Sequence, residues 1–173
     1  MNKLFFATAL VCLFALGAFA QKPADFSGKW NLDLTKSDLG QQAAMIKSQT
    51  VTITQSGTSF KVSTATGRNT PPDSGSGGGG MGGGRGGFGG GGDQSYTLDG
   101  KEVSTERQTP NGNVTIKTTA SQSGNKVVVS SVFPGPNGDI KSTTTYELSG
   151  DGKTLTVTRE STRGNSKSVY TKG

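Results

Sequence analysis

Histidine is absent from this chain, and its one cysteine, Cys12, lies inside an N-terminal apolar run. Without histidine, the chain lacks the commonest general base near neutral pH and the commonest transition-metal ligand. A lone cysteine excludes an internal disulfide. Catalysis would then have to come from carboxylates, tyrosines or lysines, arranged as paired acids or as a nucleophile with its base. Glu102 and Glu106 share one strand face, but they alternate with Val103 and so point to solvent. No acid pair converges, so the chain reads as non-enzymatic, with no cofactor and no metal.

Long hydrophobic runs are also missing, apart from Leu4–Phe19. Lys3 before that run and Ala18-Phe19-Ala20 ahead of Gln21 give residues 1–20 the pattern of a secretory signal peptide. The run is too short and wrongly flanked to stay in a membrane after cleavage. Val11 precedes Cys12 where a lipoprotein signal would place a small residue, so Cys12 reads as an apolar residue lost with the leader. Secreted or periplasmic location is the expectation. Removing Lys3 lowers the net charge of +6 by one. The remaining charges alternate in sign along the chain, as on a solvated surface, rather than forming a nucleic-acid or anionic-membrane patch. The 153 residues from Gln21 suit one domain, 21–173.

What the chain does have is a regular series of turn pairs. Asp99-Gly100, Asn111-Gly112, Gly124-Asn125, Asn137-Gly138, Asp151-Gly152 and Gly164-Asn165 punctuate its second half. Such pairs tolerate the positive φ that tight hairpins require. Between them, apolar and polar side chains alternate, as in Val114-Thr115-Ile116-Lys117 and Tyr146-Glu147-Leu148. This pattern puts one face of each strand in a core and the other in water. The expected fold is all-β: a single up-and-down antiparallel barrel of about ten strands, although the strand pattern by itself also admits a sandwich.

Before this series, Phe26 to Leu34 reads as a first strand, with Trp30 plugging the closed end of the barrel and Gly28 allowing close backbone approach. Ser37 to Lys47 is the one helical candidate, capped by Ser37 with Leu39, Ala43 and Ile46 at helical spacing, and would sit as a lid over one mouth. Thr50–Gln55 and Ser59–Thr66 form a hairpin with Val51 and Ile53 facing Phe60 and Val62. Residues 67–93 are mostly glycine and read as a disordered solvent loop. They hold one copy of the RGG-box unit, Arg85-Gly86-Gly87-Phe88. The stretch carries Arg68 and Arg85 against Asp73 and Asp93, and a neutral loop is poorly suited to nucleic acid.

Several of these stretches together resemble the calycin superfamily, closest in pattern to the fatty-acid-binding proteins and to secreted bacterial chains called lipocalin-like. Phe26-Ser27-Gly28-Lys29-Trp30-Asn31-Leu32 is similar to that family's opening F-x-G-x-W-x-L. Tyr146-Glu147-Leu148 with Asp151 to Thr158 resembles its penultimate hairpin, and Ser168-Val169-Tyr170-Thr171-Lys172 its closing R-x-Y-x-K. Setting aside 67–93 leaves 126 residues, about the length of one such barrel. The resemblance implies a ligand held inside. In the family, two arginines and a tyrosine grip a fatty-acid carboxylate, and the matching positions here are Tyr146, Ser168 and Tyr170. Only the tyrosine survives, and a phenol with a hydroxyl supplies neither the charge nor the paired donors of two guanidiniums.

Two other arginines could enter the interior. Arg107 shares parity with Val103 and Thr105, and Arg159 with Leu155 and Val157. Both close their strands, so they either face the cavity and need an anion or reach water at the rim. Thr64, Thr105, Thr118, Ser131, Ser142 and Thr144 fall on inward faces. A water-holding cavity would satisfy these hydroxyls, while the strand preference of threonine accounts for the same pattern. The expected cavity residues are therefore Trp30, Phe60, Phe133, Tyr146 and Tyr170, with Arg107, Arg159 and Ser168 as polar contacts. The leading reading is an exported, monomeric binding module for a small hydrophobic or amphipathic ligand. The alternative is a structural or interaction protein of the cell envelope that uses the glycine-rich loop as tether or contact surface.

Overall fold

A computed structural model describes residues 23–69, 92–109, 112–135, 138–162 and 164–173. The leader and residues 70–91 of the glycine-rich stretch lie outside these described residues, as do the expectations of a signal peptide and a disordered loop there.

The alternating segments become ten strands in one antiparallel sheet. They are β1 Gly28–Leu32, β2 Ile46–Ser56, β3 Ser59–Arg68, β4 Asp93–Thr97, β5 Asp99–Thr109, β6 Gly112–Ser123, β7 Lys126–Phe133, β8 Ile140–Leu148, β9 Thr154–Ser161 and β10 Ser166–Lys172. Consecutive strands pair with each other except β4 and β5, and β1 also pairs with β10, Leu32 opposite Tyr170. That pairing rolls the sheet into an up-and-down barrel. It stays slightly open because β4 and β5, though consecutive, do not pair. Register follows the hydrophobic pattern: Ile53 lies opposite Val62, and Val127 opposite Tyr146. The turn glycines Gly57, Gly100, Gly112, Gly124, Gly138, Gly152 and Gly164 all have positive φ, and no described non-glycine residue does. At Gly28 the demand is close approach, since a Cβ there would lie 3.3 Å from Cε of Lys172.

The expected helix over Ser37–Lys47 does not form. In its place is a short 3-10 turn, Gly40–Met45, and Ile46 already belongs to β2. The reason is local competition. Ser37 Oγ donates to the Asp33 carbonyl at 2.6 Å and accepts the Val169 N–H at 2.9 Å, so it is not free to cap. Asp38 exchanges backbone hydrogen bonds of 2.7 Å with Lys167, which ties the segment to the edge of β10. Gly40 at φ 55 then prevents a continuous helical turn.

One end of the barrel is sealed. Phe26, Trp30, Ile53, Phe60, Val127 and Leu155 are fully buried there, each contributing about 1.5–3 kcal/mol if wholly removed from water. Trp30 Nε1 donates to the Phe26 carbonyl at 3.0 Å, so the indole is buried without an orphan donor. The Phe60 ring packs edge-on between Phe26, at 5.9 Å, and Tyr146, at 5.3 Å.

Candidate functional site

Above this floor the inward faces line a cavity of two lobes, open to solvent. The larger, of about 670 Å³, is bounded by β2, β3, β8, β9 and β10, with Val51, Val62, Tyr146, Val157, Ser168 and Tyr170 among its walls. The smaller, of about 350 Å³, is bounded by β4 to β9, with Tyr96, Val103, Arg107, Ile116, Thr118 and Ser131 among its walls. Gln94, Ser142, Thr144 and Arg159 line both lobes and so form the waist between them. No aspartate or glutamate lines either lobe among the described residues.

The inward hydroxyls fall where alternation places them. Thr105, Thr118, Ser131, Ser142 and Thr144 line the smaller lobe, and Thr64 the larger. Thr118 and Ser131 are within 3.1 Å across β6 and β7. The parity conflict at the C-terminus is also decided: Tyr170 faces the cavity, and Val169 is buried on the opposite face, beside the strap that runs along β10. Tyr170 donates to Gln49 Oε1 at 2.6 Å, and Gln49 Nε2 donates to Thr66 Oγ1 at 2.9 Å. Gln49 is thereby fixed, with its carbonyl oxygen turned to the phenol.

The expected site residues divide. Arg107, Tyr146, Arg159, Ser168 and Tyr170 line the cavity. Trp30 and Phe60 do not; both belong to the floor, where they are wholly buried. Phe133, at the end of β7, is half-buried and lines neither lobe. Glu102 and Glu106 are exposed, and Glu102 pairs with Lys117 at 3.2 Å on the outer surface. Gln49, Gln94, Tyr96 and Lys101 are lining residues that sequence reasoning missed. Tyr96 and Lys101 stood in readable alternation, whereas Gln49 fell between the expected helix, ending at Lys47, and the expected strand, starting at Thr50, in what is one strand, β2.

The electrostatics of the interior are set by burial. It pushes the Tyr146 phenol far above its ordinary pKa, and raises Tyr96 and Tyr170 as well. All three are therefore neutral hydroxyls at physiological pH, able to donate and to accept. Arg159 opposes the shift at Tyr96 and Tyr146, which places its charge near both rings. Its Nε is buried with no hydrogen-bond partner.

No protein-family model and no curated protein matches the sequence. Solved structures do. The chain is similar to the fatty acid transporter REP1-NXSQ, at 19% identity and TM-score 0.50, over 86% of this chain and 96% of that one. A point mutant of the fluorescent protein UnaG matches at 16% identity and TM-score 0.53, over 86% and 96%. Human cRBP IV matches at 16% identity and TM-score 0.52, over 87% of this chain and 100% of that one. The likeness is one of fold: a nearly closed, ten-stranded up-and-down barrel, like the barrels of these three proteins. Within this barrel the positions that the sequence resemblance matched to a carboxylate grip, Tyr146, Ser168 and Tyr170, all face the larger lobe but carry no charge. The cation that lines both lobes stands instead on β9, as Arg159.

Proposed function

We propose that this protein is an exported, non-enzymatic binding module that holds a small, partly apolar ligand inside its barrel. The observation that carries this reading is the two-lobed interior above a sealed floor, walled by aliphatic and hydroxyl side chains together. Interiors of this composition suit ligands with an apolar body and a few polar atoms. Likeness in fold to a fatty acid transporter supports a carrier over an enzyme. So does a cavity wall without carboxylates among the described residues, which offers no acid pair for general acid–base chemistry. In this reading the unit acts as a monomer. The leader reading places its work outside the cytoplasm.

Incubation of the protein with a lipid and metabolite extract, followed by native mass spectrometry, tests the proposal. A retained small molecule of defined mass, released on unfolding, is the expected result. No retained molecule, together with a crystal structure whose interior is filled by side chains, would end the carrier reading.

A further inference from the structure

We propose that the inward face of β8 is a hydroxyl track for a neutral polyol, and that the ligand places a saccharide ring in the larger lobe. This inference rests on the carrier reading and names the class of ligand.

Ser142, Thr144 and Tyr146 occupy alternate positions of β8, so their side chains project from one face at steps of about 6.6 Å. All three line the larger lobe. Ser142 and Tyr146 are only 7% and 6% exposed, and Thr144 is half-buried. Yet none of the three hydroxyls has a hydrogen-bond partner among the described residues. Other hydroxyls of the interior are taken: Thr118 lies 3.1 Å from Ser131, and Tyr170 donates to Gln49 at 2.6 Å. Beside the track, directly opposite Thr144 on β9, stands Arg159, whose Nε is also buried without a partner.

The chemistry of these groups selects among ligands. Each hydroxyl offers one donor and two lone pairs, and burial keeps the Tyr146 phenol protonated. An alkyl chain laid against the track would cut all three hydroxyls and the Arg159 Nε off from water and pair none of them, which is costly. An anion could engage Arg159, but it only accepts, so the lone pairs along β8 would stay unpaired. A polyol hydroxyl gives and takes at once, and several of them on one ring edge can meet several positions of the track. The rest of the lobe agrees with such a ring. Val51, Val62 and Val157 stand among its walls, and no carboxylate does among the described residues. The C–H faces of a sugar can cover the valines while its hydroxyl edge meets β8. A volume of about 670 Å³ is within the range of small-ligand sites.

The same ring could belong to a free saccharide or to the head of a glycoside, and the probes separate these sources. Titration calorimetry uses maltose, cellobiose, lactose and chitobiose, then decyl maltoside, then decanol and decanoate as chains without a sugar. At least one sugar-bearing probe should bind the unaltered protein about tenfold or more tighter than decanol and decanoate. A disaccharide that does so assigns a free saccharide, and decyl maltoside alone assigns a glycoside head. Thr144→Val and Tyr146→Phe should each weaken that binding about tenfold and leave decanol unchanged. Because neither hydroxyl has a protein partner, both variants should melt no lower than the parent without ligand, so lost binding cannot be laid to unfolding. Decanol or decanoate binding as tightly as every sugar-bearing probe would overturn the track and leave the carrier reading standing. Sugar binding that survives both substitutions would overturn it too. Binding of none of the probes would count against both.

Discussion

Gln55 Nε2 donates to Gln122 Oε1 at 2.7 Å, joining β2 to β6, strands that are not neighbours in the sheet. The pair lies at the sealed end and organises the chain that crosses it. Gln55 Oε1 accepts the Phe26 N–H at 3.0 Å, and Gln122 Nε2 donates to the Ala24 carbonyl at 2.7 Å. The floor is thus an aromatic plug held by two amides, and the cavity keeps its depth because that plug cannot sink.

Gln122→Ala should test the amide pair. It strands Gln55 Nε2 and the Ala24 carbonyl in partly buried surroundings, for an expected loss of about 1–3 kcal/mol. Urea unfolding followed by Trp30 fluorescence reads the change, and an effect within the scatter of an ordinary surface substitution would refute the role.

Phe60 carries the aromatic half of the floor. Phe60→Ala should cost about 3–5 kcal/mol, from lost transfer energy and the cavity left between Phe26 and Tyr146. Val103→Ala is the matched control: Val103 is apolar and inward by parity but 50% exposed beside the open β4–β5 edge. It should change stability by no more than about 0.5 kcal/mol. If the two variants melt alike, the core has been misplaced.

The buried tyrosines predict an alkaline limit. Tyr96, Tyr146 and Tyr170 have folded pKa values raised above 10.0, chiefly by burial. Between the unfolded and folded values the unfolded chain has lost protons that the folded chain keeps, so stability falls as pH rises. The contribution is whole below pH 10.0 and disappears as pH climbs through the folded values. Chemical unfolding at a series of alkaline pH values should show this decline, and Tyr146→Phe should lessen it. A flat profile in both proteins would argue against burial of these phenols.

The sequence by itself determined the strand count, the turn positions, the inward hydroxyls and Trp30 as a plug, while it set Phe60 in the cavity wall. All of these follow from period-two alternation and from glycines that local backbone geometry requires, so neighbouring residues suffice to write them. Only the tertiary structure decided the rest. Ser37–Lys47 had helical spacing, but its capping hydroxyl was claimed by Val169, from the far end of the chain. Whether Tyr170 or Val169 faced inward depended on which face β10 turned to the cavity when it paired with β1 and β9. The pattern left Arg159 open to a rim or a cavity reading. Its place depended on where the end of β9 lies against β4 and β8, a matter of barrel closure that no local pattern encodes.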